Sequence, residues 1–201
     1  MPPPRSARSG VLAVLLAAAC LLGADFSRPD PATFKLGKTS EQEIRDRFGE
    51  PSAENSTQVE GRLVTRLQYA YVEVRSTVIP VRSMVYSFHE GRLVGFEYLS
   101  SFVADETVFD EASVKRIKRG ETTRAEVLGL VGKPTGQFIY PSPAVRTPGR
   151  HADVYGYSRT DKIASSRTLD AISKVLIVTF DDRDVVVETS LVITSTSNEM
   201  R

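Results

Sequence analysis

The sequence predicts an α+β protein of two tandem units, each a short helix pair packed on a three- or four-stranded antiparallel sheet. Two observations lead there. Gly37-Lys38-Thr39-Ser40-Glu41-Gln42-Glu43-Ile44-Arg45-Asp46-Arg47-Phe48-Gly49-Glu50-Pro51-Ser52 returns 83 positions later, from Gly120 to Thr135, in the ungapped pattern G-x-T-[ST]-x-x-E-[IV]-x-x-x-[FV]-G-x-P-[ST]. Similar segments at a fixed offset signify a duplicated structural unit. After each copy, apolar and polar residues alternate with the period of two that marks half-buried strands.

Before the first copy stands an export signal. Met1 to Gly10 carries Arg5 and Arg8 without an acid, and Val11 to Ala19 is unbroken apolar sequence. That is the charged region and apolar core of a signal peptide (residues 1–19), shorter than the roughly 20 residues a spanning helix needs. Cys20, the only cysteine, ends the apolar run. In an exported chain it is an intermolecular thiol, part of a signal cleaved after Ala24, or a modified residue. Residues 20–32 hold two prolines and read as a tether. Without residues 1–19 the chain has 24 basic and 25 acidic side chains. A balance so near neutrality excludes a sequence-independent nucleic-acid binder, and Lys115, Arg116, Lys118 and Arg119 read as a solvated helix face.

Each motif residue has a local task. Ser40 and Thr123 are helix N-caps, with Glu43 and Glu126 three positions on completing capping boxes. Gly37 and Gly120 supply turns with positive φ. Ile44 with Phe48, and Val127 with Val131, give each helix one apolar face. Gly49 and Gly132 end the helices, and Pro51 and Pro134 forbid continuation. A preceding helix is expected in the second copy, capped by Asp110 and running through Val114 and Ile117. In the first copy only Pro31 to Leu36 is available for one.

Strands are expected at Leu63–Tyr71, Met84–Phe88 and Val94–Tyr98, with a tight turn at His89-Glu90-Gly91-Arg92. Tyr155-Gly156-Tyr157, Leu176–Phe180 and Val185–Thr194 repeat that order, with a longer hairpin around Thr160 to Ala171. The first unit then spans residues 33–103 and the second 104–196, leaving 197–201 as a tail.

Gly37, Thr39, Ile44, Gly49, Pro51, Tyr69, Tyr71 and Phe88 make the first copy similar to the SmpA/OmlA (BamE-like) family of outer-membrane assembly lipoproteins. Gly120, Thr122, Val127, Gly132, Pro134, Tyr155, Tyr157 and Phe180 do the same for the second. Two such units in tandem also resemble the β-lactamase inhibitory proteins. The position of Cys20 resembles a lipobox, with Ala17 where that pattern prefers Leu, Val or Ile. Leu21, in place of an aspartate, implies an outer-membrane, periplasm-facing lipoprotein. The resemblance implies a non-catalytic, lipid-anchored protein that binds envelope proteins, with the β-barrel assembly machinery as one such partner. The alternative it implies is an inhibitor of an extracytoplasmic enzyme. SmpA/OmlA members carry one unit, and the inhibitory proteins staple theirs with disulfides that this chain lacks.

Residue chemistry suggests no enzyme, cofactor, metal or small-molecule substrate. His89 and His151 read as solvated loop residues, and Asp181, Asp182 and Asp184 lack the glycine and distal glutamate of a calcium loop. The candidates for partner binding are Tyr69, Tyr71, Tyr155 and Tyr157, with Val78 and Ile79 at a hairpin tip. Each tyrosine pair projects to one sheet face, so it either forms a matched surface or lies in the core under the helices.

Overall fold

The computed structural model describes residues 33–72, 80–102, 105, 109–162 and 168–199. The expected signal, Cys20 and the tether lie outside them, as do Val78 and Ile79. The elements in chain order are α1 (Glu41–Phe48), β1 (Ala53–Val59), β2 (Arg62–Val72), β3 (Val81–His89), β4 (Arg92–Ser100), α2 (Glu111–Val114), α3 (Arg124–Val131), β5 (Gly136–Ile139), β6 (His151–Lys162), β7 (Thr168–Phe180) and β8 (Val186–Glu199).

All eight strands form one antiparallel sheet in sequence order. This corrects the fold class expected from the repeat, which was two tandem helix-plus-sheet units. The sheet does not break between the copies, because β4 pairs with β5 through Gly95↔Phe138, Phe96↔Gln137 and Glu97↔Gly136. Two glycines make that seam possible. A Cβ on Gly95 would fall 1.9 Å from the Phe138 ring, and one on Gly136 would fall 2.5 Å from the Phe96 carbonyl oxygen. The helix content is also smaller than expected. No second α-helix accompanies α1 among the described residues, and α2 is a four-residue turn capped by the Asp110 carboxylate, which accepts from Ala112 N–H at 3.0 Å.

The motif itself forms as its residues dictate. Ser40 and Thr123 cap α1 and α3 with both arms of the capping box present, and Gly49 and Gly132 close them at φ 76° and 83°. Its opening glycine and threonine latch each copy to the last hairpin of its half. Gly37 N–H donates to Leu93 O and Leu93 N–H to Thr39 O, at 2.7 and 2.9 Å. Gly120, Val186 and Thr122 repeat this at 2.7 and 2.9 Å. The threonine hydroxyls accept from Lys35 N–H at 3.0 Å and Lys118 N–H at 2.8 Å.

The helices share one sheet face. The register runs Phe96↔Gln137↔Asp153↔Val178, so the cluster under α1 and the cluster under α2 and α3 lie on the same side. Under α1, Ile44 and Phe34 pack on Leu67, Tyr69, Tyr86 and Phe96. The Phe34 and Tyr86 rings meet edge-on at 5.2 Å, a geometry worth about 0.5–1.5 kcal/mol beyond burial. Under α2 and α3, Val114, Val127 and Val131 pack on Tyr155, Leu176, Val178 and Phe180. On the opposite face the 140–150 loop sets Val145 and Ala144 against Phe138, Ala152 and Val154.

Candidate partner-binding surface

The four tyrosines separate into two inner and two outer residues. Tyr69 and Tyr155 are 1% and 0% exposed beneath the helices, so neither presents a surface to a partner. Each belongs to a core cluster. The Tyr69 hydroxyl donates to Gly49 O at 3.1 Å, tying the end of α1 to the sheet. The Tyr155 hydroxyl has no hydrogen-bond partner. Burial pushes both phenols up from their ordinary value. Tyr71 and Tyr157 stand two residues further out. Tyr71 is 37% exposed, its ring 6.1 Å from that of Phe102, and Tyr157 is half-buried.

Tyr157 leads to an uncovered apolar area on this face. Its register partner is Lys174, whose partner in turn is Ile193. Ile172 lies two residues from Lys174 on the same face. Ile172 and Ile193 are 41% and 46% exposed. Lys174 reaches back to Glu111 at 2.7 Å, fixing the end of α2 beside this patch. On the opposite face of the same ribbon Val192 is 57% exposed.

The two sheet edges differ. Ala53 to Gln58 of β1 are exposed and mainly polar, and Glu54 accepts from Arg45 at 2.7 Å. By contrast, β8 is the other outer strand, and from Thr189 to Asn198 it carries no charge, glycine or proline. A long uncharged edge beside exposed aliphatic side chains is a template for pairing with another chain. The tyrosine argument missed Ile172, Val192 and Ile193. Leu191-Val192-Ile193 was the available signal, since three consecutive apolar residues in an outer strand must show one to each face.

A second feature lies on the helix-free face. Cross-strand register sets Arg66, Ser87, Gly95, Phe138 and Ala152 in one row, and Gln68, Val85, Glu97, Gly136, Val154 and Ile177 in the next. Between them is a pocket of about 170 Å³ lined by Arg66, Ser87, Glu97, Phe138, Val154 and Ile177, among others. Ser87 is 1% exposed, and neither its hydroxyl nor the Arg66 Nε–H has a hydrogen-bond partner. Burial raises the Glu97 carboxyl, with the nearby Arg66 charge opposing.

On the helical face a larger cleft, about 550 Å³, runs between the halves beside Leu36, Arg124, His151, Asp153 and Asp184. Arg124 holds the fully buried Asp153 in a bidentate pair at 2.8 and 2.7 Å, and Gln137 donates to the same carboxylate at 3.3 Å. The bond to Asp153 raises the Arg124 guanidinium above its ordinary value. His151 stacks on Phe180 at 5.3 Å. Its Nε2 is 2.8 Å from Asp184 but makes no hydrogen bond, because the contact is out of line with the ring N–H. His151 is thus a packed strand residue and not a solvated loop residue. His89 sits within 2.9 Å of Leu63 O. Asp181 accepts from the Val185 and Arg183 backbone amides at 2.9 and 3.0 Å, which lowers its carboxyl and makes a turn. Among the described residues no group of three or more His, Cys, Asp or Glu side chains could hold a metal.

Comparison with family models and with curated proteins found no match. The resemblance to SmpA/OmlA proteins therefore rests on the motif residues alone. Among solved structures the chain is similar to a candidate β-lactamase inhibitor protein from Streptococcus mutans. The two are 12% identical, with a TM-score of 0.44, over 80% of this chain and 91% of that one. A likeness at that level assigns no function.

Proposed function

We propose that this chain is a non-catalytic, exported cell-envelope protein. Acyl chains on Cys20 hold it on the periplasmic side of the outer membrane, where it binds other envelope proteins in assembly or maintenance. The observation behind the binding role is the apolar end of the β6–β8 ribbon, where Ile172 and Ile193 are each more than 40% exposed on one face beside the uncharged 189–198 stretch of the edge strand. Clustered aliphatic exposure of this kind marks interaction surfaces. Tyr157 and Lys174 in the same register row supply polar contacts at its border. The apolar run that ends at Cys20 supports export and anchoring, since an acylated cysteine retains a protein on a membrane without a spanning helix.

The test is capture of partners from solubilised envelopes with the wild-type chain and with Ile172→Glu and Ile193→Glu. Both positions are exposed, so the variants should keep the wild-type melting temperature. Capture of specific envelope proteins should fall at least tenfold, about 1.4 kcal/mol. Equal capture by all three proteins would remove the patch from the argument. Recovery of one extracytoplasmic hydrolase, inhibited on binding, would favour the inhibitor reading. Mass spectrometry of the mature N-terminus checks the anchor, and an unmodified chain beginning at Asp25 would end that part of the proposal.

A further inference from the structure

The pocket on the helix-free face has a polar half and an apolar half, set by the sheet register. Strands β2 to β4 contribute Arg66, Ser87 and Glu97, whereas β5 to β7 contribute Phe138, Val154, Val175 and Ile177. Pro143 and Ala144 wall it from the 140–150 loop. Reciprocal Ser142–Val145 backbone bonds at 3.0 Å brace that wall, and Val145 is 1% exposed.

Buried polar groups are nearly always paired, because leaving one unpaired forfeits its hydration. Two unpaired buried groups belong to residues that line this one pocket. The Arg66 Nε–H can only donate, the Ser87 hydroxyl can donate or accept, and the Glu97 carboxyl offers an acceptor oxygen in either protonation state. A complementary ligand presents an acceptor toward Arg66 and Ser87 and a donor toward Glu97. A carboxamide does both within one planar group. A carboxylate provides only acceptors and sets its charge against Glu97. The volume indicates the rest of the ligand, since an apolar cavity of about 150 Å³ accommodates benzene. A pocket walled by a braced loop suits a free small molecule better than a protein surface.

We propose that this pocket binds a small primary carboxamide carried on a compact, ring-sized apolar body, with the carbonyl toward Arg66 and Ser87 and the amide N–H toward Glu97. The site is on the sheet face opposite Ile172 and Ile193 and does not depend on the partner-binding proposal.

Benzamide and benzoate are the probes, titrated into the methyl-labelled full-length chain in detergent and followed by NMR. Benzamide should give saturable shifts of the Val154, Val175 and Ile177 methyls. Affinity should fall about tenfold in Arg66→Met, as expected for losing a charged hydrogen bond, and several-fold in Ser87→Ala. Benzoate should bind at least fivefold more weakly than benzamide. Unchanged Ile44 and Val127 methyl signals on the helical face would show that a variant has folded. If Arg66→Met does not fold, the nearly isosteric Ser87→Ala decides. Unshifted pocket methyls would mean that water alone occupies the site and would overturn the proposal. So would equal affinity in the folded variants, or benzoate binding as tightly as benzamide.

Discussion

Gly95→Ala should destabilise the protein through one identifiable contact. The new Cβ would fall 1.9, 2.4 and 2.8 Å from three atoms of the Phe138 ring. That ring is 6% exposed and packed among Val145, Ala152 and Val154, and it yields only by shifting into the pocket it lines on the helix-free face. Overpacking of this kind costs about 1–3 kcal/mol. Alanine in a strand recovers about 0.5–1 kcal/mol of the entropy that glycine loses on folding. The expected net loss is therefore about 1 kcal/mol, within a range of about 0–2.5 kcal/mol. Phe138→Ala alone should cost about 3–5 kcal/mol by leaving a cavity. With the ring gone, adding Gly95→Ala should be neutral or slightly stabilising, a coupling in the range expected for residues in contact. Urea unfolding followed by circular dichroism and tyrosine fluorescence measures all four proteins, since the chain has no tryptophan. If Gly95→Ala cost the same with and without the Phe138 ring, the packing explanation of the β4–β5 seam would be wrong.

Ser40→Ala and Thr123→Ala should each cost about 1 kcal/mol at neutral pH as lost N-caps, measured by the same unfolding. Bonds from the Ser40 and Thr123 backbone amides, then from their hydroxyls, hold Glu43 and Glu126 below the ordinary carboxylate value of 4.5. A lowered folded-state value stabilises above pH 4.5, and the benefit disappears as the pH falls through that folded value. Of the bonds to each carboxylate, alanine keeps the backbone one and loses only the hydroxyl one, 2.8 Å in each box. Part of each penalty should therefore disappear in acid, and pH-independent penalties would contradict those hydroxyl bonds. Arg124→Ala should cost about 3–5 kcal/mol, because it strands the fully buried Asp153 carboxylate. Asp153→Ala should cost less, since the Arg124 side chain is 29% exposed and can turn to water. The reverse order in denaturant melts would mean that Gln137 alone satisfies Asp153.

Local features were legible in the sequence, and those set by distant partners were not. Both capping boxes, both C-cap glycines and the Glu90-Gly91 turn follow from neighbouring residues, and all are present. Alternation located six of the eight strands. It missed β1, where only Val59 is buried, although Glu60-Gly61 repeats the positive-φ pair of the Glu90-Gly91 turn. It also missed β5, whose four residues are too few to show a period. Without β5 the continuity of the sheet could not be deduced, which is why the fold class needed correction. Tyr69 and Tyr71 look equivalent by parity, yet α1 is only eight residues, or about 12 Å, long. Two strand residues advance about 7 Å, enough to carry the outer tyrosine past helical cover. The unpaired Ser87 and Arg66 Nε were beyond sequence reasoning, because their isolation depends on strand register.

The paired latches bear on where this chain can change length. Glu41 N–H reaches Gly91 O across 50 residues, and Arg124 N–H reaches Asp184 O across 60. Closing a loop costs entropy only as the logarithm of its length, so the ten extra residues of the second latch add about 0.2 kcal/mol. Almost all of that sequence separation lies in hairpins that neither latch touches. Growth at those tips thus carries almost no thermodynamic penalty while the latch geometry stays identical. The hairpin ends can diverge in length and composition between the copies, leaving the repeated motif as a fixed clasp at the base of each half.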